Sequence, residues 1–342
     1  MRQPRLKAPP NSFSPVAYYH CVSRVVNRDF VFGDEEREQF VEFMRLYERF
    51  CGVRVVTYCV MSNHFHLLVG VPKRPETMPS NAELIATVKA SLGELEAARL
   101  EYDLGQAAKI ASVQWEEEIR DRYLRRMWDI SLFMKTLKQR FTQWFNRKHR
   151  RKGTLWEDRF RSVLVQAAGE PLAAMATYID LNPIRANMVE DPKDYRWSGY
   201  GAAMGGDDMA VDGIREIGRA AKNIVAEGSG VLEAYRVMLY GRGVERGRAE
   251  DGTAIRKGFT REESRGVVES GGRLPRVDYL RLRVRYFTDG AVIGSREYVN
   301  EVFTSLRERF GAKRRTGARL MWGLAGEEKL YALRDLRVQP LS

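Results

Sequence analysis

Apolar and polar positions alternate with a period of two along residues 17–25, AYYHCVSRV, and this pattern predicts a strand. The period then changes. In GDEEREQFVEFMRLYERFCG, Phe40, Phe43, Met44, Tyr47 and Phe50 recur at helical spacing. Asp34 is placed to cap this helix, Glu35 and Glu36 suit its positive end, and Gly52 stands where the chain must leave it. VRVVTYCVM (53–61) and HFHLLVG (64–70) follow as β-rich runs separated only by Ser62 and Asn63. They predict antiparallel strands joined by a tight turn or bulge.

Residues 74–130 break the rhythm with an Ala-, Glu- and Leu-rich, helix-patterned insertion. A basic helix, SLFMKTLKQRFTQWFNRKH, comes next, then a strand in TLWEDRFRSVLV. EPLAAMATYIDLNPIRANMV begins as a helix, with Pro171 in its first turn and Pro183 ending it. Strand, helix, strand, strand, helix, strand, helix predicts an α+β fold: an antiparallel β-sheet with helices packed on one face. GAAMGGDDMAVDG (201–213) and the Gly- and charge-rich stretch 241–272 read as linkers. The expected organisation is a disordered basic arm over 1–15, a first domain over 16–204 carrying the insertion, and a mainly helical C-terminal extension over 214–342. In that extension FTDGAVIGSREYVNEVF suits a helix-turn-helix on duplex DNA, or helical packing without DNA contacts.

A chain of 342 residues fits two domains, or one with large insertions. It has no apolar run of about 18 residues, so no membrane span is expected. Cys21, Cys51 and Cys59 are odd in number and set in apolar surroundings, which points to buried thiols in a reducing cytoplasm rather than a disulfide framework. Charge changes the picture more. Fifty-seven Lys and Arg stand against 45 Asp and Glu, a net +12. From Arg120 to Arg161 there are fourteen basic and four acidic residues. Such a stripe is the footprint of a polyanion, nucleic acid above all, or else a solvated Arg-rich face. Lys135, Lys138, Arg140, Arg147, Lys148, Arg150, Arg151 and Lys152 can follow phosphates, and Arg159 and Arg161 alternate on the strand after Trp156. Phe141, Trp144, Phe145 and Trp156 could stack on unpaired bases, although their helical spacing favours the core.

Two of the four histidines sit one residue apart in NHFHLLVG. Side chains alternate along a strand, so His64 and His66 share a face while Phe65, Leu67 and Val69 share the other. Imidazoles about 7 Å apart along a strand converge on one divalent ion, or remain half-exposed sheet histidines. Two nitrogens are too few for a structural zinc site, and the cysteines lack the spacing to complete one. The remaining chemistry points to ATYIDLNP. Tyr178 and Asn182, four positions apart, share a helical face; Asn182 can offer an amide oxygen to an ion, with the Tyr178 hydroxyl one turn back. The alternative is an ordinary amphipathic tyrosine and a capping asparagine, and Pro183 biases Asn182 away from helical angles. Arg185 can touch a phosphate there or lie on the surface. His20 and His149 lack a partner at metal spacing and read as a sheet histidine and part of the basic turn.

VMSNHFHLLV, GTLWEDRFRS and YIDLNPIRANMVEDPKDYRWSGY, in this order over roughly residues 16 to 200, resemble the single-tyrosine transposases with a His-hydrophobic-His motif. They resemble in particular the branch associated with repetitive extragenic palindromes (REP). The resemblance implies a ferredoxin-like antiparallel sheet with the histidines on its central strand. It implies Mg²⁺ or Mn²⁺ on His64 and His66, Tyr178 as nucleophile and Asn182, where many relatives have Gln, as third ligand. It also implies cleavage and rejoining of hairpin-bearing single-stranded DNA through a 5′-phosphotyrosine, by a monomer or homodimer with no small-molecule substrate. The chemistry suits these residue types. A phenol with pKa near 10 is a poor nucleophile at pH 7, so its target must be made more electrophilic, which a divalent ion on a phosphate oxygen does. A phosphotyrosine link conserves the bond for transfer to another 3′-OH. Two other readings stay open: a domesticated protein that grips palindromic hairpins without cutting, and a metal-dependent nuclease that uses water.

Overall fold

The alternation in AYYHCVSRV becomes strand β1 (Val16–Arg24), which turns Tyr19 and Cys21 into one core and Tyr18 into another. This is a computed structural model, and it describes residues 6, 8, 14–221, 230–241, 285–288, 290–310, 314–321 and 329–334. Helix α1 (Asp34–Cys51) follows, and Gly33 rather than Asp34 precedes its first turn. The Glu36 carboxylate reaches back to accept the Gly33 N–H at 3.1 Å, so the acidic first turn caps the helix from within. Strands β2 (Arg54–Val60) and β3 (His64–Pro72) form the expected tight pair, closed where Met61 N–H donates to the His64 carbonyl at 2.8 Å. The insertion supplies α2 (Asn81–Leu92), α3 (Glu94–Lys109) and α4 (Val113–Leu124) before the basic helix α5 (Ile130–Lys148) and strand β4 (Arg161–Val165).

The first four strands are ordered β2-β3-β1-β4 with every neighbour antiparallel, the order of a ferredoxin-like unit with β3 and β1 at its centre. Apolar alternation along β3 decides the packing. Phe65, Leu67 and Val69 enter the core beneath α1 and α5. There the Phe65 ring lies 4.5 Å from Phe40 and 5.5 Å from Trp156, centroid to centroid. The insertion helices extend this same layer through Leu84, Val88, Leu100, Leu104 and Ile119, all buried. Phe141, Phe145 and Trp156 also lie in this core, and the half-buried Trp144 packs against it, so none of the four presents an open stacking surface.

The α+β expectation holds, but helices cover both faces of the sheet rather than one. A second helical layer covers the opposite face: α6 (Glu170–Asp180), the short α7 (Asn182–Arg185), α8 (Gly199–Met204), α9 (Asp208–Ala221) and α10 (Gly230–Gly241). The stretch 201–213, expected as a linker, is therefore mostly helix. Its glycines serve close approach: a Cβ on Gly213 would fall 2.1 Å from the Val56 carbonyl oxygen, and one on Gly201 would fall 2.0 Å from that of Tyr195.

The sheet also grows beyond the expected strands. After one helical turn, α11 (Arg285–Thr288), strand β5 (Gly290–Gly294) pairs in parallel with β4, and β7 (Tyr331–Arg334) and β6 (Arg319–Leu320) complete a mixed seven-stranded sheet among the described residues. FTDGAVIGSREYVNEVF is thus not a helix-turn-helix. Ala291, Val292 and Ile293 are buried as a strand, and Ser295 caps α12 (Arg296–Ser305) by accepting the Tyr298 N–H. Most of the basic arm, and the stretch 242–272, lie outside the described residues.

Candidate active site

Alternation on β3 turns His64 and His66 toward the layer that holds α6. His66 is 2% exposed, His64 is half-buried, and their ring centroids are 5.0 Å apart. Helix α6 follows Gly169 (φ 78°), with Pro171 in its first turn, and carries Tyr178 in its last. The Tyr178 ring lies edge-on 5.7 Å from His66 and 5.8 Å from His20. The Tyr178 ring and His66, more than a hundred positions apart in the chain, are therefore neighbours. Tyr178 is nevertheless 2% exposed, with Phe287 of α11 stacked on it at 4.4 Å and the Arg185 guanidinium carbon 4.4 Å from the ring centre.

Asn182 is placed differently from the expectation of one continuous helical face. Helix α6 stops at Asp180, Leu181 links it to α7, and Pro183 sits in the first turn of that short helix instead of ending the first one. The Asn182 amide nitrogen donates to the carbonyls of Tyr178 at 3.1 Å and Ile179 at 3.2 Å. It caps a helix end, and its amide makes no hydrogen bond to either histidine.

Each histidine is held from behind. His64 Nδ1 lies 2.7 Å from Asn63 Oδ1, and the Asn63 amide nitrogen donates to the Arg28 carbonyl at 3.0 Å. His66 Nδ1 lies 2.9 Å from His20 Nε2, and His20 Nδ1 lies 3.0 Å from the carbonyl oxygen of Phe287. The sequence offers His20 as a sheet histidine with no partner at metal spacing. Alternation along β1 already put it on this face, but only the register, with Val22 opposite His66, makes it the diagonal neighbour of His66.

Burial without a carboxylate partner pushes both His20 and His64 down to about 4, Arg24 adding to the effect on His64. Burial lowers His66 well below the usual range, helped by His64, His20, Arg185 and Arg24. The rings are neutral at pH 7. With both Nδ1 atoms engaged, each ring keeps an Nε2 edge for a ligand, a donor set that fits a divalent cation. Among the described residues no group of three His, Cys, Asp or Glu side chains gathers around a common point.

Cations crowd the same face. Burial brings Arg185 down to about 10, against the opposing influence of Tyr178. Its three guanidinium nitrogens are shut from solvent, and the Tyr178 side chain is the group they lean on. A buried guanidinium in that state is poised for an anion. Arg24, which closes β1 opposite His64, was not singled out in the sequence, yet its charge reaches both histidines. Period-two alternation along β1 is the signal that would have found it.

The basic stripe divides. Helix α5 packs on the Phe65 side of the sheet, away from the histidines, but the turn after it returns to the His64 end. There Val26 N–H donates to the Leu155 carbonyl, and Glu157 N–H donates to that of Arg24, each at 3.0 Å. Lys135, Arg140, Arg147, Arg150, Lys152 and Arg159 are exposed, Arg140 lying over Phe43. Arg151 lies half-buried over Phe145, and Arg161 is half-buried at the start of β4. Lys138 is buried, donating to the Asp158 carbonyl at 2.9 Å beneath the Trp156 ring, and so is no open phosphate contact. Lys148 pairs with Glu35 at 2.5 Å and Glu36 at 2.8 Å, and His149 also contacts Glu36.

Residues 14–90 match the sequence model of a family described as Transposase IS200 like. The match contains β1 to β3 and both paired histidines and ends before Tyr178. No curated protein matches the chain. Among solved structures, a REP-associated tyrosine transposase bound to a REP hairpin is similar over 60% of this chain and 89% of its own, at 12% identity and a TM-score of 0.36. No helix among the described residues is long and apolar enough to cross a membrane.

Proposed function

We propose that this chain is a single-strand DNA transposase with Tyr178 as its nucleophile, a reading supported by the match of residues 14–90 to the IS200-like transposase model. The observation that carries the reading is the Tyr178 ring 5.7 Å from His66 on the face that also holds His64. His64 and His66 would hold a divalent cation, Mg²⁺ or Mn²⁺, and Asn182 would offer its amide oxygen as the third ligand. Such a cation, when bound, withdraws electron density from a non-bridging oxygen of the scissile phosphate.

The chain's own groups do the rest. The Tyr178 oxygen attacks phosphorus, the bond from phosphorus to the 3′ oxygen breaks, and that oxygen leaves as a 3′-OH carrying a proton. The 5′-phosphate stays on the tyrosine, and attack by another 3′-OH reverses the step and joins new ends. Arg185 and Arg24 supply positive charge on the same face, where the low surrounding polarity strengthens it. The exposed Arg147, Arg150, Lys152 and Arg159, with Lys135 and Arg140 farther along α5, lead the DNA backbone toward that end of the sheet. The substrate is single-stranded DNA folded into hairpins.

Covalent capture on a hairpin-bearing oligonucleotide tests the reading. Tyr178→Phe should abolish the protein–DNA adduct while leaving DNA affinity within a few-fold, and His64→Ala should abolish it as well. Cleavage that survives in Tyr178→Phe but needs His64 would make the protein a nuclease using water. Salt-sensitive hairpin binding without metal-dependent cleavage would make it a non-cutting DNA binder.

A further inference from the structure

His20 lies outside the paired-histidine motif and touches it at one atom. Its Nδ1 faces a backbone carbonyl, that of Phe287, from a position 267 residues away in the chain. A carbonyl can only accept, so Nδ1 of His20 carries the hydrogen. In a neutral ring, His20 Nε2 is then left as an acceptor. The atom 2.9 Å from it, His66 Nδ1, must therefore be the donor. The hydrogen on Nδ1 leaves the lone pair of His66 on Nε2, the nitrogen away from the relay. The same logic runs through Asn63 for the other ring. Its amide nitrogen is committed to the Arg28 carbonyl, so its oxygen takes the hydrogen of His64 Nδ1.

We propose that His20 is a positioning residue for the metal centre: through the relay from the Phe287 carbonyl it locks His66 in the tautomer that bares Nε2 for a cation. The inference rests on the metal-binding reading of His64 and His66. Without the relay, the buried His66 ring can place its hydrogen on either nitrogen, and the tautomer with Nε2–H cannot ligate. The two ring planes lie within 10° of parallel with centroids 5.2 Å apart, the edge-to-edge arrangement that an in-plane hydrogen bond between them requires. Phe287 belongs to none of the elements that carry the histidines, so a segment beyond the ferredoxin-like unit sets the chemistry of its central strand.

Nitrogen-15 correlation spectra of the full-length, metal-free protein labelled at histidine report the tautomer directly. His20 and His66 should both appear with the hydrogen on Nδ1, and His66 found with it on Nε2 would overturn the proposal. Mn²⁺ titration supplies the second readout. His20→Phe should weaken binding on the order of 10- to 100-fold. His20→Gln should restore it to within a few-fold, because its amide can accept from His66 and donate to the carbonyl. Unchanged Mn²⁺ affinity in a folded His20→Phe would also overturn the role. Should His20→Phe not fold, the wild-type spectrum decides alone. Mn²⁺ binding that is absent, or indifferent to His64→Ala, would sink the metal-binding reading instead, while the tautomer spectrum still reports on the relay.

Discussion

Lys148 and Arg147 are neighbours of equal formal charge, and a count of basic residues treats them alike. The structure does not. Arg147 points to solvent, whereas Lys148 is engaged by two carboxylates and Lys138 is buried beneath Trp156. Each phosphate contact that is lost removes its share of counterion release. Arg147→Ala should therefore lower the slope of log affinity against log salt by about one, uniformly across oligonucleotide sequences. Lys138→Ala should leave that slope unchanged and lower the melting temperature, because it strips a hydrogen bond and a ring contact from a buried site. A full unit lost from the slope in Lys138→Ala would return that residue to the DNA surface.

At the scale of elements, Glu36 joins the start of α1 to the end of α5. Burial alone would raise its carboxyl, but hydrogen bonds from Lys148 and His149 outweigh this and hold it below its ordinary value of 4.5. The folded state thus binds that proton less tightly than the unfolded chain does. The tie stabilises fully above the ordinary value and is lost as pH falls through the lower folded one. Urea unfolding should show Glu36→Gln less stable than wild type at pH 7, with the gap closing under acid. A gap of equal size at both pH values would show that the ion pairs contribute nothing to the joint. The break between α6 and α7 belongs to this scale too. Pro183 was legible as a disruption, but its effect, a second short helix with Asn182 capping the first, depended on how the following turn packs.

For the whole molecule, the sheet is the unit that matters. Its aromatic face is covered by α1, α5 and the insertion, which leaves the histidine face to α6, α9 and α10. The insertion therefore thickens the layer opposite the site. Strand β5, far along the chain, lies beside β4, and α11 just before it brings Phe287 onto Tyr178 and His20. A chain ending at residue 221 loses all three contributions. It should melt at a lower temperature and form no covalent adduct, measured by thermal unfolding and oligonucleotide capture. Undiminished adduct formation would show that the first 221 residues hold the site unaided.

What the sequence determined by itself was local: the alternation that sends His64 and His66 one way and Phe65 the other, the helical spacing of α1, and the order of the first elements. Side-chain period and helix capping depend on residues a few positions apart, so they can be read along the chain. Tertiary structure alone decided the rest. Strand register made His20 the diagonal neighbour of His66, and close packing turned Gly213 of a supposed linker into a helix–strand contact. Distant partners separated the buried Lys138 from the open Arg147 and set a carbonyl from residue 287 behind the paired histidines. These outcomes depend on which remote surface each side chain meets, and no short stretch of sequence records that.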